Sequence, residues 1–501
     1  MNPVDNIVEV TVFTTEMFVV LSPILFLSFG IVLALLLIAW QRSQKMIAVF
    51  SQVILVFTLL LSIHLLSGSL LSGEGVQITT LLKVDQFSYL SLSLLCLSAL
   101  AVVSLSGKVL KSQIEVHDEY YLLILLVTLG AAILVASDHF ASMFLGFELL
   151  SISLVGLVGY FREHKYAVEA GFKYLILSAT ASSFMLLGIA FIYSQTGNLS
   201  FAVNSAAMSW SPNSLQLFNS IGILLFFSGI AFKLSLAPFH FWTPDIYEGA
   251  PTPITLLMAT VSKVAMFTVL MKCCFAQGYY NNEHFIDVII IVALLSMFVG
   301  NALALKQQNI KRLMAYSSIA HFGYLLIILL ISSEESINFA WQSALFYLSA
   351  YILANISIFT IVLAYEKQIS QNIEERDVRI DDLQSMFWHR RTEAVLLVVS
   401  ILSLAGIPLT MGFVGKFYLL NQAVISQSWW LISGLVIGSG IGLAYYLPII
   451  FTVFKSDEKS ISNSHDPKGV FVARPRIFIT LLIIISFYLG IFPDSFSQYI
   501  M

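Results

Sequence analysis

Between Phe232 and Phe267 the sequence reads FKLSLAPFHFWTPDIYEGAPTPITLLMATVSKVAMF. Lys233 lies inside one apolar run, Pro238 follows five residues later, a polar turn passes through Asp245 and Glu248, and Lys263 lies inside the next apolar run. An ammonium at hydrocarbon depth costs about 3 kcal/mol, so two of them around a proline-broken segment point to a buried polar path. Glu148 in MFLGFELLSISL, Lys173 in KYLILSA and Lys416 in GKFYLL also sit in apolar runs. Glu148 has no other charge in its run, and Lys233 is its best partner because opposite signs must meet for a buried charge to be tolerated. Lys173 has a rival reading as a structural charge that reaches toward an interface. His321 can relay protons because imidazole titrates near neutrality, although a satisfied core histidine is the competing reading; His240, just past Pro238, and His64 rank lower.

These residue types suit proton transfer better than capture of an organic substrate. A carboxylate offsets the cost of burying an ammonium, so moving one partner can switch the protonation of the other. Broken helices add free backbone groups and room for water, through which protons can hop. A sodium site would need several oxygen ligands converging at one place, whereas here lysines outnumber carboxylates.

The elements that must hold these residues are membrane helices. Of 501 residues, 58% are hydrophobic and 11% charged. With a mean hydropathy of +0.88, the composition excludes an ordinary soluble domain. The net charge of -4 says nothing of nucleic acid or a charged substrate. Runs able to span the bilayer number fourteen, at 18–40, 46–66, 86–106, 119–136, 139–160, 169–194, 217–238, 252–274, 285–305, 312–331, 339–365, 393–425, 429–454 and 476–493. The first follows an acidic stretch with Asp5, Glu9 and Glu16 and lacks the basic start of a signal peptide, so a retained helix is expected. Cys96, Cys273 and Cys274 lack metal-ligand spacing and are expected to pack in the interior.

Basic residues test this count. With the N-terminus outside, 19 of 25 fall in loops on one side, including Arg42, Lys45, Lys306, Lys311, Arg312, Arg390, Arg391 and Lys455. The opposite side holds only Lys83 and Lys272, and four lie within spans. Cytoplasmic loops carry the excess, so the expectation is an all-α polytopic protein with both termini periplasmic. Inverted repeats fit the pattern: spans four to eight (119–274) and nine to thirteen (285–454) follow three N-terminal spans (1–110) and precede a cytoplasmic loop and last helix (455–501). The seventh span is interrupted at Pro238 and the twelfth at Gly406, Pro408 and Gly412. Glu148 and His321 stand 173 residues apart, and KYLILSA from Lys173 and FYLSAYI from Phe346 keep the same offset.

The stretches LAPFHFWTPDIYEGAPTPITLLMATVSKVAMF, GIAFKLSLAP, FLGFELLSISL and SLAGIPLTMGFVGKFYLL closely resemble the subunit N family of the bacterial proton-pumping NADH:quinone oxidoreductase, complex I. That family is similar to mitochondrial NADH dehydrogenase subunit 2 and belongs with the antiporter-like subunits. The resemblance covers essentially the whole chain and implies fourteen helices, two inverted five-helix repeats and broken seventh and twelfth helices. It implies an intramembrane glutamate matched by Glu148 and lysines matched by Lys173, Lys233, Lys263 and Lys416. Of the sister subunits, one continues into a long lateral helix where this chain stops at Met501, and another typically has glutamate where Lys416 stands. A multisubunit cation/proton antiporter shares the scaffold and is the second reading of function; a channel or purely structural scaffold is the third.

The sequence has no fingerprint for nucleotide, flavin, haem or iron–sulfur binding. The resemblance therefore implies a non-redox translocase subunit that binds no cofactor or metal itself, with NADH, FMN, iron–sulfur clusters and quinone handled by partner subunits. Its expected partners are the lipid bilayer and other membrane subunits of complex I, sister antiporter-like and small ones especially, and no nucleic acid. Its expected place is the bacterial cytoplasmic (inner) membrane.

Overall fold

Apolar runs of this length can satisfy their backbone in hydrocarbon as helices, and the chain forms them. The computed structural model describes residues 14–40, 43–67, 75–110, 118–161, 165–201, 214–281, 283–330, 336–372, 377–456 and 473–497. In order these hold α1 (Thr15–Trp40), α2 (Gln44–Leu66), α3 (Gln86–Leu110), α4 (Glu119–Ala136), α5 (Phe140–Val158), α6 (Lys165–Thr196) and α7 (Ser214–Leu234). The short α8 (Trp242–Gly249) follows, then α9 (Thr252–Leu257) and α10 (Lys263–Ala276), joined by a π-helical turn at Met258–Ser262. The second half holds α11 (Glu283–Ala304), α12 (Ile310–Leu325), α13 (Ser336–Asn372), α14 (Met386–His389), α15 (Arg391–Ala405), α16 (Met411–Ile425), α17 (Trp429–Phe454), α18 (Ala473–Ile491) and α19 (Asp494–Ser497). A two-stranded hairpin, β1 (Val76–Gln77) with β2 (Lys83–Val84), pairs Val76 with Val84 and Gln77 with Lys83; the all-helical expectation omits it.

Among the described residues, eleven helices are long and apolar enough to cross a membrane. The seventh and fourteenth runs of the sequence appear as α7 and α18, with shorter apolar helices at Phe218–Leu234 and Ile477–Ile491, and the twelfth is split into α15 and α16. The seventh helix ends at Leu234, earlier than the expected 238, because Ser235 turns to a φ of 63°.

Burial divides the helices into layers. The apolar windows of Thr252–Ala276 and Ser336–Glu366 are 100% buried, whereas those of α1, α2, α6 and α17 are 33% buried. Two helices thus form an interior pair shielded all round, and the outer ones present one face to neighbouring helices and apolar side chains outward. Neighbouring helices approach through small residues: a Cβ at Gly188 of α6 would fall 2.6 Å from the Gly222 carbonyl of α7, and one at Gly130 of α4 would fall 2.8 Å from the Gly146 carbonyl of α5.

Candidate functional site: buried lysines and a histidine between two broken helices

The first break follows α7. Lys233, in its last turn, is 0% exposed. Its ammonium donates to the Tyr174 hydroxyl at 2.7 Å and to Ser178 at 3.2 Å, and lies over the rings of Tyr174 and Phe147 at 4.6 and 5.0 Å. A cation at a helix carboxyl end gains from the helix dipole, and electron-rich ring faces add to it. Across the break the Trp242 indole N–H donates to the Phe232 carbonyl at 3.0 Å, Thr243 donates to Ser235 at 2.6 Å, and the Ala237 amide donates to Ser296 at 2.9 Å. The Phe232 carbonyl and the Ala237 amide at the break therefore have partners.

Lys263 follows the π-helical turn directly. Such a turn holds one extra residue and re-aims the side chains around it. Lys263 is 0% exposed, donates to Ser318 of α12, and lies 5.1 Å from the Phe322 ring centroid and 5.7 Å from that of Tyr247. One turn beyond Ser318 is His321, buried among aromatic rings. Its Nδ1 meets the Tyr347 hydroxyl at 2.6 Å, and its Nε2 lies 3.4 Å from the Tyr446 hydroxyl, which is 2.5 Å from Ser317.

The second break separates α15 from α16. Lys416 is 9% exposed and donates to the carbonyl of Ala405, the last residue of α15, at 2.8 Å, so it caps the open end of a half-helix. Gly406 makes this possible: its φ is 81°, and a Cβ there would sit 2.7 Å from Cδ of Lys416. The Tyr324 ring lies 5.5 Å from the Lys416 ammonium.

Lys233, Lys263, His321 and Lys416 are thus all interior, strung between the two breaks. Glu148 and Lys173 are placed differently. Among the described residues no ion pair joins Glu148 to Lys233; Oε1 of Glu148 is buried without a hydrogen-bond partner, and its carboxylate lies within electrostatic reach of Lys233 and Tyr174. The direct contact expected from the sequence is absent. Lys173 has a side chain 43% exposed and pairs with Glu169 at 2.8 Å and Asp245 at 3.3 Å. A helix turns about 100° per residue, so Tyr174, its neighbour, is the one that faces Lys233. His240 is buried with Nδ1 unpartnered, and His64 is exposed on the last turn of α2. All three cysteines are buried and free.

Sequence reading passed over the hydroxyls and rings that surround these cations, because aromatic and serine residues abound in any membrane helix. It also passed over a charged cluster where α8, α12 and α13 converge. Arg312 bridges Asp245 at 2.9 Å and Glu248 at 2.6 Å, Lys311 meets Asp377 at 2.7 Å and Glu366 at 3.5 Å, and Asn309 donates to Glu248 and Asp377 at 3.0 and 3.2 Å. The pair Asp245 and Glu248, one turn apart in PDIYEGAP, was the available signal.

A helical membrane fold with two interrupted helices and buried cations between them defines an antiporter-like protein. The family model described as NADH:quinone oxidoreductase/Mrp antiporter, TM, matches residues 137–442. NADH-quinone oxidoreductase subunit N of Ectopseudomonas mendocina (strain ymp) is 36% identical, covering 97% of this chain and 96% of that protein. The chain belongs to the subunit N family of NADH-quinone oxidoreductases. Among solved structures, a chain of respiratory complex I from Thermus thermophilus with bound aureothin is similar at 28% identity and a TM-score of 0.77, over 94% of this chain and 97% of that one. A chain of the Mrp complex from Dietzia sp. DQ12-45-1b shares the fold, with 18% identity and a TM-score of 0.80 over 97% and 96%.

Proposed function

We propose that this chain translocates protons across the bacterial cytoplasmic membrane as a non-redox subunit of complex I, coupled to electron transfer from NADH to quinone in partner subunits. The observation that carries this reading is the interior run of Lys233, Lys263, His321 and Lys416 between two half-helix ends. Each can gain or lose a proton, and each is fixed by hydroxyl, carbonyl or ring partners rather than by a neutralising carboxylate. Glu148 modulates Lys233 through space, and Lys173 with Asp245 lies on the exposed flank beside Tyr174. NADH, FMN, iron–sulfur clusters and quinone belong in this reading to the partners, which include sister antiporter-like and small membrane subunits.

The same reading takes α4–α10 and α11–α17 as inverted repeats, with fourteen spans and both termini periplasmic. Its support is the likeness of the two breaks: each follows a helix whose next residue, Ser235 or Gly406, has positive φ, and each contains a proline before the helix resumes. Chain-wide identity with subunit N favours complex I over a cation/proton antiporter, whose likeness at 18% identity speaks for the fold alone.

Proton translocation per electron in the assembled complex tests the reading. Lys416→Ala is expected to slow this path about 100-fold, the scale of one acid–base group, and Lys416→Arg to rescue it only in part because guanidinium holds its proton. Undiminished translocation by the alanine variant would overturn the reading.

A further inference from the structure

Among the described residues no hydrogen bond joins His321 to Lys416, and a proton has to pass between them if the reading above holds. What lies between them is a cavity of about 10 Å³, the space of one water molecule, lined by His321, Tyr347, Tyr351, Ser403, Gly412 and Lys416. Tyr347 belongs to both sides of this gap. Its hydroxyl is 2.6 Å from Nδ1 of His321, and it borders the cavity that Lys416 also borders.

The helix bearing Lys416 is seated on this tyrosine. A Cβ at Gly415 would fall 2.9 Å from Cδ2 of Tyr347, and one at Gly412 would fall 1.8 Å from the Ser403 carbonyl, so α16 lies against α13 and α15 where it brings Lys416 to the cavity. On the other side, the Tyr446 hydroxyl faces Nε2 and keeps the ring turned so that Nδ1 points at Tyr347. A phenol hydroxyl accepts one hydrogen bond while it donates another, and it stays neutral as it does so.

We propose that Tyr347 is a proton-relay residue between His321 and Lys416, with Tyr446 positioning the imidazole. This rests on the translocation reading and adds a step to it. Imidazolium at His321 gives its Nδ1 proton to the Tyr347 oxygen, while Tyr347 gives its own hydroxyl proton across the one-water cavity to the neutral amine of Lys416. Tyr347 gains one proton and loses one, His321 ends neutral, and Lys416 ends as the ammonium capping the Ala405 carbonyl.

The test compares Tyr347→Phe, Lys416→Ala and the double variant in the assembled complex, with proton translocation measured per electron from NADH. Phenylalanine keeps the ring against Gly415 and removes only the hydroxyl. It is expected to slow the path about 100-fold, to the level of Lys416→Ala, with no further loss in the double variant. Full translocation by Tyr347→Phe beside a defective Lys416→Ala overturns the relay and leaves the translocation reading intact; full translocation by both overturns both. Should the phenylalanine variant fail to assemble, 3,5-difluorotyrosine at position 347 retains ring and hydroxyl with a more acidic proton. It is expected to move the pH profile of translocation, and an unmoved profile overturns the relay.

Discussion

Each interior lysine meets one or two oxygen partners and at least one aromatic face, and these two kinds of contact replace hydration differently. The oxygen fixes direction and accepts a definite proton, whereas the ring attracts the charge without offering a site for the proton to go. Lys233 with Tyr174, Ser178 and Phe147 shows both. Glu148 acts from farther off, so its coupling to Lys233 is expected at about 1–3 kcal/mol, below the ~3–5 kcal/mol cost of breaking a contact pair. Translocation per electron in Glu148→Gln, Lys233→Ala and the double variant measures this coupling. Strong non-additivity is expected; additive losses would separate the two residues, and full activity in Glu148→Gln would remove the carboxylate from the path. The cations themselves were legible in the sequence because charge in an apolar run is rare. Tyr174 was not, since nothing in one strand of letters tells which side of α6 faces α7.

At the scale of elements, the interruptions do the positioning. Proline and glycine announced both in the sequence, and the resulting half-helices put open carbonyls where Lys416 needs an acceptor. The π-helical turn before Lys263 had no comparable signal, because MATVS contains neither proline nor glycine and is buried along its whole length. Close packing at the second break makes a sharp expectation. Gly412→Ala places a Cβ 1.8 Å from the Ser403 carbonyl and must push α16 off α15, so the assembled complex should fall severalfold on native gels. Gly440→Ala, where nothing lies within 4 Å of the added atom, should assemble normally and gain about 0.5–1 kcal/mol in helix propensity. Normal assembly of Gly412→Ala would show that the break can widen at little cost.

Across the whole molecule, the charge pattern counted along the sequence has a spatial counterpart. The loops bearing Lys306, Arg379 and Lys455 meet at one end, through a bridge between Asn309 and Arg379 and a bond from the Ser385 amide to the Lys455 carbonyl at 3.0 Å. The two exceptions, Lys83 and Lys272, meet each other at the far end of the helix that starts at Thr252, where the Lys272 ammonium donates to the Lys83 carbonyl at 3.2 Å. Hydropathy and charge counting find this polarity because both depend on long stretches; which helix is shielded on all sides depends on packing partners and was not legible. Both termini lie outside the described residues. Reporter fusions are expected to place Met501 in the periplasm and the connection between Glu366 and Arg391 in the cytoplasm, and a cytoplasmic Met501 would overturn the fourteen-span topology.

The seam beside Lys233 also carries its own lamp. Trp242 spans it, with its indole N–H on the Phe232 carbonyl and its ring 5.1 Å from that of Phe232 and 5.4 Å from that of Tyr174. Any motion that parts α8 from the end of α7 must trade that carbonyl for water or leave the indole bare, and either changes the colour of its emission. Fluorinated tryptophan at this position would turn the same event into a resonance shift, so movement of the break during turnover can be watched without adding a probe that the interior has no room for.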